Sequence, residues 1–324
     1  MQSVIKVKKS IAVAGTIIVD KINEISAYPK EGELTKIQKQ STAVGGCVPN
    51  VAIDLKLFCP NLDVKAVGKV GLDQDGQFVK EQLEKYSVDT CGVVQSNLAT
   101  DFTQVMSVKG GQRTFFTYAG AGATFGYDDI DFEGLGVDML HLGYFLLLEK
   151  IDSGDGERIL KKAKELGIKT SIDLVSENSN RYSTVLPCLK YVDNLIINET
   201  EAGALVGVTP TQDNLEEIAQ KLKDFGVSER VIIHTPEVGI CLSRNGVTKL
   251  SSYLLPNGFI KGTTGAGDAF CAGALYGISQ ELTDREILEI ASVSATCSLT
   301  QKDAVSGIRE LSEMQNECKQ FKRR

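Results

Sequence analysis

Lys261–Gly262–Thr263–Thr264–Gly265–Ala266–Gly267–Asp268–Ala269–Phe270 is the stretch from which the rest of the chain can be read. Glycine lets a ligand approach the backbone because no side chain intervenes. Directly behind it Ala269, Gly273 and Gly277 recur every four positions, so a helix starts at once. A Gly-rich turn that opens a helix leaves N–H groups pointing outward at the positive end of the dipole, which suits phosphate. Asp268 does not belong in a plain phosphate cradle, because a carboxylate repels phosphate. It fits a base that takes the proton from a hydroxyl while that oxygen attacks phosphorus. The turn alone leaves a plainer reading open, an ordinary first-turn Asp at a helix start.

Outward from this turn, apolar β-type runs alternate with helical ones. Residues 11–15, 64–68, 137–142, 170–172, 195–197 and 231–234 read as strands; 52–58, 78–86, 158–166 and 215–225 read as helices. Gly167 and Gly226 stop two of those helices. Near-continuous apolar strands separated by helices with C-terminal glycines indicate a parallel sheet covered on both faces. Thr283–Asp284–Arg285–Glu286 is a capping box that starts a further helix to about Leu299. Two segments, about 17–40 and 91–118, break the rhythm. In the second, Val93, Gln95, Phe102, Gln104, Met106, Phe115 and Thr117 alternate with period two, as short antiparallel strands with one wet face do. Gly110–Gly111 is the turn signal of a hairpin between them. The expected fold is therefore α/β: a doubly wound, mostly parallel sheet flanked by helices, one domain over 1–324, with a small discontinuous β-sheet lid.

Composition narrows the function. At 324 residues, 42% of them apolar, the chain is long enough for one large α/β domain. A net charge of −7, with no basic block before Lys322–Arg323–Arg324, argues against nucleic acid as the main partner. Lys6, Lys8 and Lys9 are followed by no apolar signal core, and no run approaches a membrane helix, so neither export nor a membrane is expected. The eight cysteines are scattered without a C-x-x-C pair, which points to a reducing cytoplasm and away from disulfides or structural zinc. There are two histidines, His141 and His234, and no H-E-x-x-H or G-x-S-x-G motif.

Four motifs in order carry a resemblance: Gly45–Gly46–Cys47–Val48–Pro49–Asn50, then Val67–Gly68–Lys69–Val70–Gly71–Leu72–Asp73–Gln74–Asp75–Gly76, then Asn198–Glu199–Thr200–Glu201, then the opening stretch. Together they resemble the motifs of the ribokinase/PfkB family of sugar kinases, over about 11–308. The resemblance implies ATP and Mg2+, with Asp268 as base and the backbone N–H groups of Gly265, Ala266 and Gly267 as an anion hole. It implies that Asp20, Gly45, Gly46 and Asn50 hold a sugar-like substrate, with Arg113 of the lid as a further contact. It implies a nucleotide side made of Asn198, Glu201, His234, Gly239 and Thr264. Asn198 and Glu201 follow the strand 195–197 and so stand at its carboxyl end, where open parallel sheets bind ligands. Through water they suit magnesium, and equally a helix cap and a first-turn Glu. Asn50 likewise reads as a cap, Asp20 and Arg113 as solvated charges, and His234 as a satisfied strand-end histidine.

The sequence also departs from the family. Many monovalent-cation-dependent members carry Asp where Gly262 stands and Gly where Asp303 stands, so the resemblance by itself does not imply a K+ site. The phosphate loop is represented by His234–Thr235–Pro236–Glu237–Val238–Gly239, where Pro236 lacks a donor and Glu237 adds negative charge. Cys47 and Pro49 replace small residues beside the glycine pair, which leaves the sugar unnamed. The expected activity is ATP-dependent phosphorylation of a primary hydroxyl on a small sugar-like molecule, in a homodimer formed through the lid. A nucleoside or keto-sugar-acid kinase is the nearest alternative, and a non-catalytic sugar or nucleotide sensor the alternative of another class.

Overall fold

Residues 11–14 are apolar with no polar face to offer water, and all four are fully buried. They form the middle of a sheet that helices cover on both sides, in a computed structural model that describes residues 9–108, 113–177 and 180–324. The expected Gly110–Gly111 hairpin turn lies outside the described residues.

The first half of the chain gives β1 (Ser10–Gly15), β2 (Ile18–Ile25), β3 (Ile37–Gly45), α1 (Cys47–Phe58), β4 (Asp63–Gly71), α2 (Gln74–Lys85), β5 (Asp89–Ser96), β6 (Phe102–Val108), β7 (Arg113–Tyr118), α3 (Phe132–Leu135), β8 (Met139–Phe145) and α4 (Gly156–Glu165). The second half gives β9 (Lys169–Leu174), β10 (Asn194–Asn198), α5 (Glu199–Val206), α6 (Leu215–Asp224), β11 (Arg230–His234), β12 (Val238–Ser243), β13 (Gly246–Ser251), α7 (Ala266–Ser279), α8 (Asp284–Ser298) and α9 (Leu311–Cys318).

Among the described residues the main sheet has nine strands in the order β13-β12-β11-β10-β9-β8-β1-β4-β5. Pairing is parallel from β5 to β11 and antiparallel through β12 and β13. One apolar layer packs α1, α2, α7, α8 and α9 on one face; a second packs α3, α4, α5 and α6 on the other. The chain runs one way from β1 through β4 to β5 and the other way from β8 to β11. The crevice outside the strand ends at this reversal is where such sheets bind ligands. The small-residue stripe of α7 is a packing surface: a Cβ on Gly273 would stand 2.7 Å from the Ala291 Cα of α8. Thr283 begins α8 with the expected capping box.

A second, four-stranded sheet, β3-β2-β6-β7, stands at the carboxyl end of β1. It corrects two expectations. The stretch 91–118 does not all belong to it, because β5 pairs in parallel with β4 as the edge strand of the main sheet. Alternation reports one wet face, and an edge strand packed on one side by α2 satisfies that as well as a lid strand does. Nor is the sheet wholly antiparallel, since β2 and β6 run parallel. No helix among the described residues is long and apolar enough to cross a membrane.

Candidate active site

The turn before α7 is held by backbone geometry. Gly265 has φ 77°, and a Cβ there would lie 2.5 Å from the Ala304 Cα, so the position accepts only glycine without strain. The Ala266 N–H is taken up by the Thr263 carbonyl at 3.3 Å, and the Ala269 N–H by the Gly265 carbonyl at 2.8 Å. Of the three residues expected to make an anion hole, Ala266 is thus already engaged; Gly265 and Gly267 carry no such bond among the described residues.

Asp268 follows in the first turn, 5% exposed, with its carboxylate edge in a cleft rather than in packed hydrocarbon. Asn50 Nδ2 donates to its Oδ2 at 2.8 Å. The Tyr144 hydroxyl donates to both oxygens, at 2.8 and 3.0 Å. Burial, and then the Asp173 charge, push the carboxyl up to about 7, against the pull of the Asn50 and Tyr144 hydrogen bonds. Burial pushes the Tyr144 phenol well above its usual value, so it stays a donor. Tyr144 was not singled out by the sequence reading. Its signal was available: it follows the strand 137–142 directly, at the carboxyl end where ligand groups collect.

Asn50 is not a helix cap. Gly46 is the cap residue of α1, and Cys47, Val48 and Pro49 form the first turn. Pro49 costs nothing there, because a first-turn N–H has no helical partner. Asn50 therefore sits inside the helix, facing α7, with its Oδ1 buried and unpartnered among the described residues.

Asp20 lies on β2, half-buried, and no hydrogen bond to its carboxylate is made among the described residues. Burial pushes it up to about 6, with the Arg113 charge pulling the other way. Gly45 is the floor beneath it: a Cβ there would meet Asp20 Oδ2 at 2.6 Å. Arg113 on β7 reaches from the second sheet to the turn before α7, donating to Thr264 Oγ1 at 3.0 Å and to the Lys302 carbonyl at 3.4 Å. This moves Thr264 away from its expected place. Its hydroxyl faces Arg113, while Thr263 lines the nucleotide-side cavity instead.

Two cavities meet at the N-terminus of α7, and Gly267 and His234 line both. The larger, about 550 Å³, is walled by Leu250, Phe270 and Leu288 and includes Gly239 and Asn198. The smaller, about 200 Å³, holds Asp268, Tyr144, Asp173, Glu201 and Asn198. Burial holds His234 neutral, down to about 4, and its ring packs on Phe270 at 4.6 Å. Asn198 and Glu201 form a reciprocal capping box at the start of α5. Glu201 Oε1 also accepts from Ser176 Oγ at 2.8 Å and Asn198 Nδ2 at 2.7 Å. Burial pushes the Glu201 carboxyl up to about 8.

Two of the three departures resolve alike, each loop using a side chain to take up its own N–H groups. Thr235 Oγ1 accepts the N–H groups of Glu237 and Val238, at 3.0 and 2.9 Å, so this loop spends its donors on itself. Asp303 accepts the N–H groups of Val305 and Ser306, at 3.2 and 2.7 Å. Its charge serves its own turn and does not replace the carboxylate missing at Gly262.

Comparison with known proteins places this geometry. Residues 8–311 match the model of the pfkB family carbohydrate kinases. A ribokinase of Arabidopsis thaliana is 27% identical over 305 residues, covering 91% of this chain and 77% of that protein. The adenosine kinase of Saccharomyces cerevisiae is 26% identical over 259 residues, covering 76% of this chain and 75% of that protein. The structure of Arabidopsis thaliana ribokinase complexed with ribose and ATP superposes with a TM-score of 0.81 at 23% identity, covering 95% of this chain and 98% of that one.

Proposed function

The chain belongs to the pfkB family of carbohydrate kinases, and from that premise we propose that it transfers the terminal phosphoryl group of ATP to a primary hydroxyl of a small sugar-like substrate. The observation that carries this is Asp268: a carboxylate with a pKa near neutrality, edged into a cleft and held by two donors at the N-terminus of a helix. A general base works best when its pKa lies near the operating pH.

The residues divide by role. The apolar walls of the larger cavity, with neutral His234 packed at a tilt against Phe270, suit a nucleobase, and the opening of that cavity at Gly267 directs phosphates to the start of α7. The Asp20 carboxylate, without a hydrogen-bond donor among the described residues, would accept two sugar hydroxyls, with Gly45 as the floor beneath it. Asp268 takes the proton of the acceptor hydroxyl as its oxygen bonds to phosphorus and the bond to the ADP oxygen breaks; the proton passes to solvent as products leave. Gly265 and Gly267 present N–H groups to the transferred charge. Glu201 and Asn198 would hold the magnesium of the family through water, because both residues line the smaller cavity beside Asp268 and oxygen ligands suit that ion. Magnesium supplies charge neutralisation on the phosphates when bound. The second sheet acts as a lid: Arg113 ties it to the turn before α7, and its closure would exclude water. The face turned away from Asp20 exposes Phe116 and Tyr118, which a second copy of the chain would cover. A nucleoside acceptor is the second reading, supported by the similarity to an adenosine kinase.

The test is ADP release with ATP, magnesium and a panel of pentoses, hexoses, sugar acids and nucleosides. One acceptor should stand out, and Asp268→Asn should lower its turnover by about 10²–10⁴-fold. Full turnover in that variant, or ligand-induced stabilisation with no ADP from any acceptor, would overturn the reading, the latter in favour of a sensor.

A further inference from the structure

Beneath the catalytic cleft, four side chains that share no sequence spacing converge. Cys47 opens α1, His141 lies on β8, Asp173 on β9 and Cys271 on α7. One ligand atom from each of Cys47, His141 and Asp173 lies within 4.8 Å of the other two. Cys271 Sγ is 3.6 Å from His141 Nε2, and Asp173 Oδ2 is 3.4 Å from the same nitrogen. We propose that Cys47, His141, Asp173 and Cys271 form a binding site for one Zn2+ ion, separate from the magnesium of phosphoryl transfer.

The two distances to His141 Nε2, 3.4 Å from Asp173 and 3.6 Å from Cys271, match those between ligands of a tetrahedral shell. Zinc bonds of about 2.0–2.1 Å to nitrogen and oxygen and about 2.3 Å to sulfur, at the tetrahedral angle, put nitrogen and oxygen about 3.3 Å apart and nitrogen and sulfur about 3.6 Å apart. The 3.4 Å between His141 and Asp173 is long for a hydrogen bond and normal for two ligands of one ion. His141 Nδ1 is 3.0 Å from Ser171 Oγ, the outer contact that fixes a ligating imidazole and aims its other nitrogen. Asp173 Oδ1 is held by the Tyr144 N–H at 2.6 Å, which leaves Oδ2 to face the cluster. Gly143 makes room for sulfur: a Cβ there would fall 1.9 Å from Cys47 Sγ. Cys47 and His141 are fully buried, whereas Asp173 and Cys271 line the smaller cavity and give an ion a path from the cleft. Two thiols, an imidazole and a single carboxylate select zinc over magnesium or calcium, which prefer oxygen. Binding deprotonates both thiols and releases two protons to solvent. Spacing argued against structural zinc only because each ligand comes from a different element.

The experiment titrates metal-free, reduced protein with Co2+ and then displaces it with Zn2+, with no nucleotide or sugar present. One equivalent should produce the visible bands of a tetrahedral site together with a sulfur-to-cobalt charge-transfer band. The Cys47→Ser/Cys271→Ser double variant should lose the charge-transfer band. X-ray absorption at the zinc edge of the unaltered protein should show two sulfur and two nitrogen or oxygen neighbours, a reading that does not depend on any variant folding. An all-oxygen-and-nitrogen shell, no uptake at one equivalent, or an unchanged cobalt spectrum in the double variant would overturn the proposal. Each of those results leaves the kinase reading untouched, since none involves turnover.

Discussion

Tyr144→Phe removes one oxygen and tests how the base is tuned. The phenol donates to both Asp268 oxygens, at 2.8 and 3.0 Å, and so favours the ionised carboxylate. A hydrogen bond to a charged group contributes about 1.5–3 kcal/mol. At 1.36 kcal/mol per pKa unit that is roughly 1–2 units. Asp268 starts from about 7, so without the phenol it should titrate at roughly 8–9. The sign follows from the proposed role: a base works ionised, so turnover should appear above its pKa and fall as the pH drops through it. The variant should therefore lose about tenfold at pH 7 and recover most of that loss in more alkaline buffer. The assay is initial-rate ADP release across about pH 6 to about pH 10, fitted for the acidic limb of kcat/KM. An acidic limb that stays in place while the plateau falls uniformly would refute the tuning argument and leave Tyr144 a steric role only.

Three further outcomes are expected. Asp268→Asn, impaired in turnover, should be more stable at pH 8. The folded carboxyl sits at about 7 against 3.8, so its stability contribution is full below the lower value and lost as pH rises through the upper, about 4 kcal/mol in all. Calorimetry should show a raised Tm at pH 8 and little gain at pH 4; no gain at pH 8 contradicts the burial argument. Gly45→Ala places a Cβ 2.6 Å from Asp20 Oδ2. It should raise the acceptor KM by roughly 10–100-fold through one lost charged hydrogen bond, with the KM for ATP unmoved; equal changes in both would place Asp20 outside the sugar site. Replacing Phe116 and Tyr118, which share the face of β7 turned away from Asp20 and are 59% and 42% exposed, together by Ser should shift sedimentation from dimer to monomer. An unchanged coefficient would mean that this face is not the dimer contact.

Local signals travelled well from chain to fold. Apolar runs without a polar face had to be buried strands, the glycines after 166 and 225 had to end helices, and Thr283 with Glu286 had to begin one. The setting of Asp268, in the first turn of a helix behind a glycine turn, was legible for the same reason: the three are neighbours along the backbone. What lies across the chain was not legible. Periodicity could not say which sheet β5 joins, because strand pairing is set by partners remote in sequence. Tyr144 and Asn50 reach Asp268 over separations of 124 and 218 residues, and Arg113 reaches Thr264 over 151. The gathering of Cys47, His141, Asp173 and Cys271 has no spacing signature at all. Composition and periodicity dictate which segments bury themselves and in what form. Only the packing of those segments, through contacts that depend on three-dimensional distance rather than chain order, decides which side chains meet and what pKa each acquires.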